Sequence, residues 1–472
     1  MIPNDLLHVL TVLFIGGPQL IVCIGWFLYI YLQKSITTSS SLNIGCFDLS
    51  GVDVVIPIRD SLFKIECLLD NLQDFRRKGA RIVLLDSSSG HPLPLQGKRS
   101  NTAILNNRFC WKMCETDWGT HCWGVPPPGF KAGVLNLWMQ YSNSEIVIVI
   151  DSDWRVDTDQ LMRLVFALRA NPRLAFVQGK WAFLNDNQSW VSRADSLSLH
   201  LHHNVEQKIR ASNDIHFNMN GSFTALRREI VNEVGGFDGT QLSEDVDLAF
   251  RLAKFGYCGY YDDSCEGHGR VVTDISEYRK QKVRWAAGRL QALWHHGILM
   301  ITTGDFRGRL LNLHYLLEYA TAPSALLLSV FSVYQGYPVI LRWFAIGLIL
   351  APGFIRMLLT SQQHDKKKFS LKALSAAFSD CILRSLLSGT CLVLFVGTLF
   401  GWIPGWQWKA AKYVIICVSI ILIAVVNILF SIKSDIVGLI GWILLNGILA
   451  SGIILWAWPA THSKICGCCS DN

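Results

Sequence analysis

Charge is scarce in this sequence. Charged residues occupy 17% of its 472 positions and hydrophobic ones 51%, whereas a soluble domain carries roughly 25% charge. The deficit is uneven. Apolar runs fill Leu6 to Leu32 and most of the chain beyond Leu313, while the stretch between reads as an ordinary α/β domain. This excludes a simple soluble protein and predicts a membrane protein with one sizeable globular domain. No lysine-arginine tract is present, so the net charge of +7 does not point to nucleic acid. It fits basic residues flanking membrane spans on the cytoplasmic side. No basic residue precedes the first apolar run, as a signal peptide requires, so that run reads as a retained anchor, kinked or shortened at Gly16-Gly17-Pro18. No G-x-G-x-x-G follows a strand, which argues against a dinucleotide site. The 14 cysteines lack the even spacing of a secreted disulfide framework. Cys110, Cys114, His121 and Cys122 cluster, but their spacing fits no standard zinc finger, and free or structural thiols are expected there. The tail cysteines 466, 468 and 469 suit S-palmitoylation if cytosolic.

What is present centres on I-V-I-V-I-D-S-D, Ile146 to Asp153. Five consecutive β-branched residues predict a strand buried on both faces, as in a parallel sheet. Ligands of open α/β sheets bind beyond the carboxyl ends of strands, so this run aims Asp151 and Asp153 at a ligand site. Two carboxylates one residue apart suit a hard divalent cation able to grip a diphosphate. Upstream, strand Asp53 to Ile58, helix Ser61 to Lys78 and strand Arg81 to Leu85 form a β-α-β unit ending at Asp86. His91 to Phe130 reads as irregular. A short helix opens at Lys131, a cation placed to meet a phosphate.

Downstream, the pattern predicts helix Asp159 to Ala170, strand Ala175 to Gln178 and one long helix from Asn187 to Ile209. His200, His202 and His203 on that helix are expected to be core or interface residues rather than metal ligands. Ser243-Glu244-Asp245 enters a helix that Ser243 can cap, and Tyr257 to Asp262 is a strand. Tyr278 to Ile301 holds Gln281, Arg284 and Trp285. Its Leu290, Leu293 and Trp294 face and its Arg279, Lys280, Lys282 and Arg289 predict a helix lying at a membrane surface. Candidate spans are Leu313 to Val333, Val339 to Leu359, Leu371 to Phe400, Tyr413 to Phe430 and Ile436 to Trp458. The basic loop around Lys366 marks a cytoplasmic side, and Asp380 with Arg384 forms a pair or lines a channel.

The ordered set Asp86, Asp151-x-Asp153, Glu244-Asp245 and Gln281-x-x-Arg284-Trp285, with Lys131-Ala132-Gly133 and Val177-Gln178-Gly179-Lys180-Trp181, resembles the processive inverting glycosyltransferases of family 2. These include the cellulose synthases, the cellulose-synthase-like glucan and mannan synthases, and the hyaluronan and chitin synthases. The resemblance implies a Rossmann-like GT-A α/β domain with interfacial helices and an α-helical transmembrane region. It divides the chain into an anchor (1–34), linker (35–50), cytosolic transferase domain (51–275), interfacial segment (276–305), about five C-terminal helices (306–460) and a Cys-rich tail (461–472). It implies that Asp86, Lys131, Asp151, Asp153, Gln281 and Arg284 bind the donor, the D-x-D pair through Mg²⁺ or Mn²⁺. Asp245 is then the catalytic base, and Glu244 and Trp285 meet the acceptor. The implied partners are a nucleotide sugar of UDP-glucose or GDP-mannose type, a glycan or lipid acceptor and the bilayer, with no nucleic acid. The implied location is a multi-pass protein of plasma membrane or Golgi. Ser243 stands where the family has Thr, and Phe223 where it has a small residue.

A non-processive lipid glycosyltransferase of ceramide-glucosyltransferase type shares the acid and R-W pattern and is the alternative. A transporter with an inactive domain ranks third, because few polar residues interrupt the predicted spans.

Overall fold

The computed structural model describes residues 4–33, 48–60, 65–88, 103–106, 108–109, 111–302, 304–334, 336–364, 375–376, 379–380, 383 and 435–457. Its centre is a nine-stranded mixed sheet: β1 Val52–Ile58, β2 Arg81–Asp86, β3 Ala103–Asn106, β4 Trp111–Thr116, β5 Gly119–Trp123, β6 Ile146–Val149, β7 Leu174–Phe183, β8 Thr224–Arg227 and β9 Cys258–Gly269. The spatial order is β3-β4-β5-β2-β1-β6-β8-β7-β9. β5, β2, β1 and β6 run parallel, and β8 turns the sheet antiparallel between β6 and β7.

The helices are α1 Asn4–Ile15, α2 Gly17–Leu32, α3 Ile65–Asn71, α4 Gln73–Arg77, α5 Lys131–Tyr141, α6 Thr158–Ala170, α7 Trp190–Leu201, α8 Lys208–Ser212, α9 Arg228–Glu233, α10 Glu244–Lys254, α11 Ile275–Thr302, α12 Phe306–Leu317, α13 Thr321–Val333, α14 Val339–His364 and α15 Ile436–Ala457. Period-2 burial of the strands seats α3, α4, α5, α6, α9 and α10 on the two faces of the sheet. Ile146 and Ile148 of β6 pack with α3, α4 and α6 side chains on one face, and Val147 and Val149 with those of α5, α9 and α10 on the other. The β-branched run therefore behaves as its sequence predicts, and strand β6 delivers the D-x-D pair at its carboxyl end.

Three expectations change. The stretch read as irregular contains the β4–β5 hairpin, with Cys114 and Cys122 buried, while Cys110 lies outside the described residues. Burial of Cys122 raises its thiol pKa, so it is inert packing. The expected long helix 187–209 is interrupted by a π-helical turn, His202–Gln207, between α7 and α8. Ser243 precedes α10 but makes no side-chain cap; its hydroxyl lies against Gly288 of α11.

Among the described residues, Val339–Leu359 of α14 is long and apolar enough to cross a membrane. Two bent pairs also qualify if each counts as one span: α1 with α2, bent 59° at the Gly16-Gly17-Pro18 break, and 306–320 with 323–333, bent 69°. The spans expected at 371–400 and 413–430, the basic loop from residue 365 and the Cys-rich tail lie outside the described residues, apart from isolated positions. Val22, Trp26 and Tyr29 of α2 pack with Val205, Ile209, Leu311 and Ile355, joining this helical part to the sheet domain.

Candidate active site

One cavity of about 340 Å³ gathers eight of the nine residues singled out above: Lys131, Asp151, Asp153, Glu244, Asp245, Gln281, Arg284 and Trp285. Asp86 is the exception. It ends β2 fully buried, with His121 Nε2 3.4 Å from its carboxylate, and is not on the cavity wall.

The acidic end is built from strand termini. Lys131 opens α5 and reaches back, donating from Nζ to Asp151 Oδ1 at 2.5 Å and to the Gly221 carbonyl at 2.9 Å. Ser222 Oγ accepts from the Asp151 backbone amide at 3.0 Å, tying the 220–222 turn to the D-x-D segment. Burial acts against the Lys131 charge, but Asp151 and Glu244 outweigh it and hold its pKa above the ordinary value. Although Asp153 reaches solvent, the protein mass around it, and then the Asp151 carboxylate, push its pKa up to about 6. A carboxylate left under-compensated beside another is a fitting donor set for a hard cation. No group of three or more His, Cys, Asp or Glu placed to hold a metal occurs among the described residues.

Glu244 and Asp245 start α10. Asp245 accepts from the Val246 amide at 2.9 Å, and burial followed by Glu244 pushes its pKa up to about 7, against the pull of Lys131 and Arg284. Two glycines set this geometry. Gly221, at φ +69°, lets the turn pass where a Cβ would stand 2.8 Å from Asp245 Oδ2. Gly288 lets α11 approach α10 so closely that a Cβ would lie 2.0 Å from Ser243 Oγ. The helix carrying Gln281, Arg284 and Trp285 is thus seated directly on the start of the helix carrying the acid pair. Phe223, unusual after Asn220-Gly221-Ser222, is buried at φ +52° and fills the space above Gly179 and Gly267, stacked on Trp154.

The π-helical turn supplies a wall whose histidines, His202 and His203, the sequence reading took as packing. His202 Nδ1 lies 2.8 Å from Glu206 Oε2, and its Nε2 3.2 Å from Asn220 Oδ1. Gln207 Nε2, anchored on the Asn218 carbonyl, also donates to Asn220 Oδ1 and so fixes that amide's orientation. Burial opposes ionisation of Glu206, but His202 and His314 hold its pKa well below the usual range. Burial keeps His203 neutral. The Tyr261 hydroxyl donates to the His203 carbonyl, so it accepts from ring Nδ1. His203 Nε2 is then a bare acceptor, without a partner among the described residues, as is the Asn220 Nδ2 donor. Trp181 stacks on His203 at 5.1 Å. π-turns concentrate at functional sites, and this was the one signal that periodicity could not supply.

Arg289 and Lys282 depart from the expected membrane-surface face. Arg289 turns inward onto Glu318, over the rings of Tyr315 and Tyr319. Glu318 also meets Arg356 at 2.9 Å, and Arg356 pairs with Asp380 at 3.2 Å. The expected partner of Asp380, Arg384, lies outside the described residues.

Residues 146–357 match the family described as glycosyl transferase family group 2. The match covers under half of the chain, and it holds the acid pairs Asp151-x-Asp153 and Glu244-Asp245 and the Gln281-x-x-Arg284-Trp285 motif. Among curated relatives, the chain is 34% identical over 163 residues to glucomannan 4-beta-mannosyltransferase 7 of Arabidopsis thaliana, covering 34% of this chain and 29% of that protein. A probable glucomannan 4-beta-mannosyltransferase 6 of Oryza sativa subsp. japonica is also 34% identical over 163 residues, covering 34% and 28%. The matched segment thus spans less than a third of these relatives. A solved mannosyltransferase of Pyrobaculum calidifontis, in complex with GDP-Man and Mn²⁺, is similar at TM-score 0.49 and 16% identity, covering 85% of this chain and 99% of that one.

Proposed function

We propose that this family 2 glycosyltransferase moves a sugar, with inversion, from a nucleotide-sugar donor onto a β-linked glycan, working at a membrane with its helices in the bilayer. The observation that carries the reading is that D-x-D, the Glu244-Asp245 pair and Q-x-x-R-W, far apart in sequence, line one cavity. The relatives named as 4-beta-mannosyltransferases favour a mannosyl donor of GDP type over UDP-glucose.

Asp151 and Asp153 would hold Mg²⁺ or Mn²⁺, which when bound neutralises diphosphate charge. Lys131 and Arg284 add fixed positive charge for the departing nucleoside diphosphate, and Gln281 helps orient the donor. Asp245 takes the proton of the acceptor hydroxyl as that oxygen attacks the anomeric carbon from the face opposite the leaving group. Its pKa of about 7 suits a base working near neutrality. Trp285 and Glu244 receive the acceptor sugar, with Trp181 offering a further indole face on the cavity wall. Asp86, buried against His121, would act on the nucleoside only through neighbouring residues.

The test is purified protein in nanodiscs with radiolabelled GDP-mannose, UDP-glucose and related donors, plus Mg²⁺ or Mn²⁺. Chromatography separates immobile polymer from lipid-extractable product. Polymer cut by a β-mannanase supports the reading. A lipid-extractable monoglycoside replaces it with the lipid-acceptor alternative. Absence of transfer from every donor refutes it.

A further inference from the structure

Lys282 sits between Gln281 and Arg284, yet it faces away from solvent. Its side chain is 3% exposed, and its Nζ lies 2.6 Å from Oδ1 of Asp195, which is 0% exposed. Asp195 belongs to α7, and its other oxygen accepts weakly, at 3.4 Å, from the Val272 amide just before α11. The same ammonium stands 3.8 Å from the Trp285 ring centroid and 5.3 Å from that of Tyr278. Lys282 and Trp285 are three residues apart on one helix, so they are surface neighbours. Asn185, in the turn before α7, and Ser189, at its N-cap, bind the Val271 and Thr273 backbone and fix the lead-in to α11.

A buried ion pair is a weak source of stability. The desolvation of both charges offsets much of their attraction, and apolar replacements of similar volume are often no less stable. What this pair has in addition is a cation held against one face of an indole that lines the cavity. We propose that the Lys282–Asp195 pair is a positioning device for Trp285: Asp195 fixes the ammonium, the ammonium fixes the indole plane, and the opposite indole face is presented to an acceptor saccharide. Neither residue touches the reacting atoms. The inference rests on the reading of Trp285 as an acceptor platform.

The test compares wild type, Lys282→Arg and the double variant Lys282→Met/Asp195→Asn in full-length protein. The double variant removes both charges together, so no lone buried ion remains. Thermal unfolding, donor KM, slow donor hydrolysis without acceptor, and KM for a β-linked oligosaccharide are measured. The double variant is expected to unfold near the wild-type temperature, with donor KM and hydrolysis within about twofold. Its acceptor KM should rise about tenfold, equivalent to about 1.4 kcal/mol. Lys282→Arg, which keeps the cation, should stay near wild type. An acceptor KM unchanged in the folded double variant overturns the proposal. So does a parallel rise in donor and acceptor KM with lost thermal stability, which marks a purely structural pair. Wild-type protein that hydrolyses donor but transfers to no saccharide refutes the acceptor reading beneath it, a result separable from either.

Discussion

The pH dependence of transfer gives the sharpest test of Asp245. Its carboxyl is held at about 7, against an ordinary value of 3.8. A base with a pKa near 7 is ionised to about 9% at pH 6 and about 91% at pH 8, so the chemical step should quicken about tenfold across that interval. An ordinary aspartate is ionised at both and predicts a flat profile. Two variants should move the limb in opposite directions. Glu244→Gln removes the neighbouring carboxylate and shifts it to lower pH, whereas Lys131→Met removes a stabilising cation and shifts it to higher pH. The assay is single-turnover transfer at saturating donor and metal between pH 5.5 and 8.5, read for the position of the limb rather than its height. Stability follows the same sign. The folded pKa is raised, so this group's contribution is full below about 4 and is lost as pH rises through about 7. A flat profile, or a Glu244→Gln limb displaced upward, refutes the assignment.

Asp245→Asn should abolish transfer while donor affinity, measured by calorimetry, stays within a few-fold. Chelation of divalent cations, or Asp153→Asn, should lower transfer about 100-fold or more, the scale of several kcal/mol lost from leaving-group stabilisation, and added Mn²⁺ should restore only the chelated wild type. Gly288→Val drives a side chain into Ser243, so about 1–3 kcal/mol of overpacking is expected, read as lower thermal stability together with reduced turnover. Phe223→Ala empties the slot above Gly179 and Gly267 and should cost about 3 kcal/mol or more in unfolding, with no offset from the positive φ because alanine keeps the Cβ.

Much of the site was legible because it is local. A run of β-branched residues that ends in two aspartates carries its own strand, its burial and its ligand-facing end. The Glu244-Asp245 pair was equally visible, although its charge alone reads as ordinary helix-start acidity. Residues whose role depends on what packs against them were not legible. The β4–β5 hairpin is built largely from Trp, Met, Cys, His and charged residues, with Thr116 and Thr120 its β-branched members, so no apolar alternation announces it. Lys282 and Arg289 looked like the polar face of a surface helix because α11 is covered on several sides, by α7, α10 and α12, and so has no single wet face. Ser243 had the right identity for a cap, but its hydroxyl lies against Gly288 of α11 and makes no cap bond.

A π turn holds one residue more than the α-helix it interrupts. The turn His202–Gln207 can therefore be regarded as a single-residue insertion retained in an otherwise regular rod. Deleting one residue there would give a smoother helix with better local hydrogen bonding. The flanking helices α7 and α8 would keep nearly the same phase, because the wider turn absorbs its extra residue; what would be lost is the wide turn itself. His202 and Gln207, which both meet Asn220, and Glu206, which meets His202, sit inside it. In this protein the irregular turn makes room for that polar cluster, and one wall of the cavity is assembled from it.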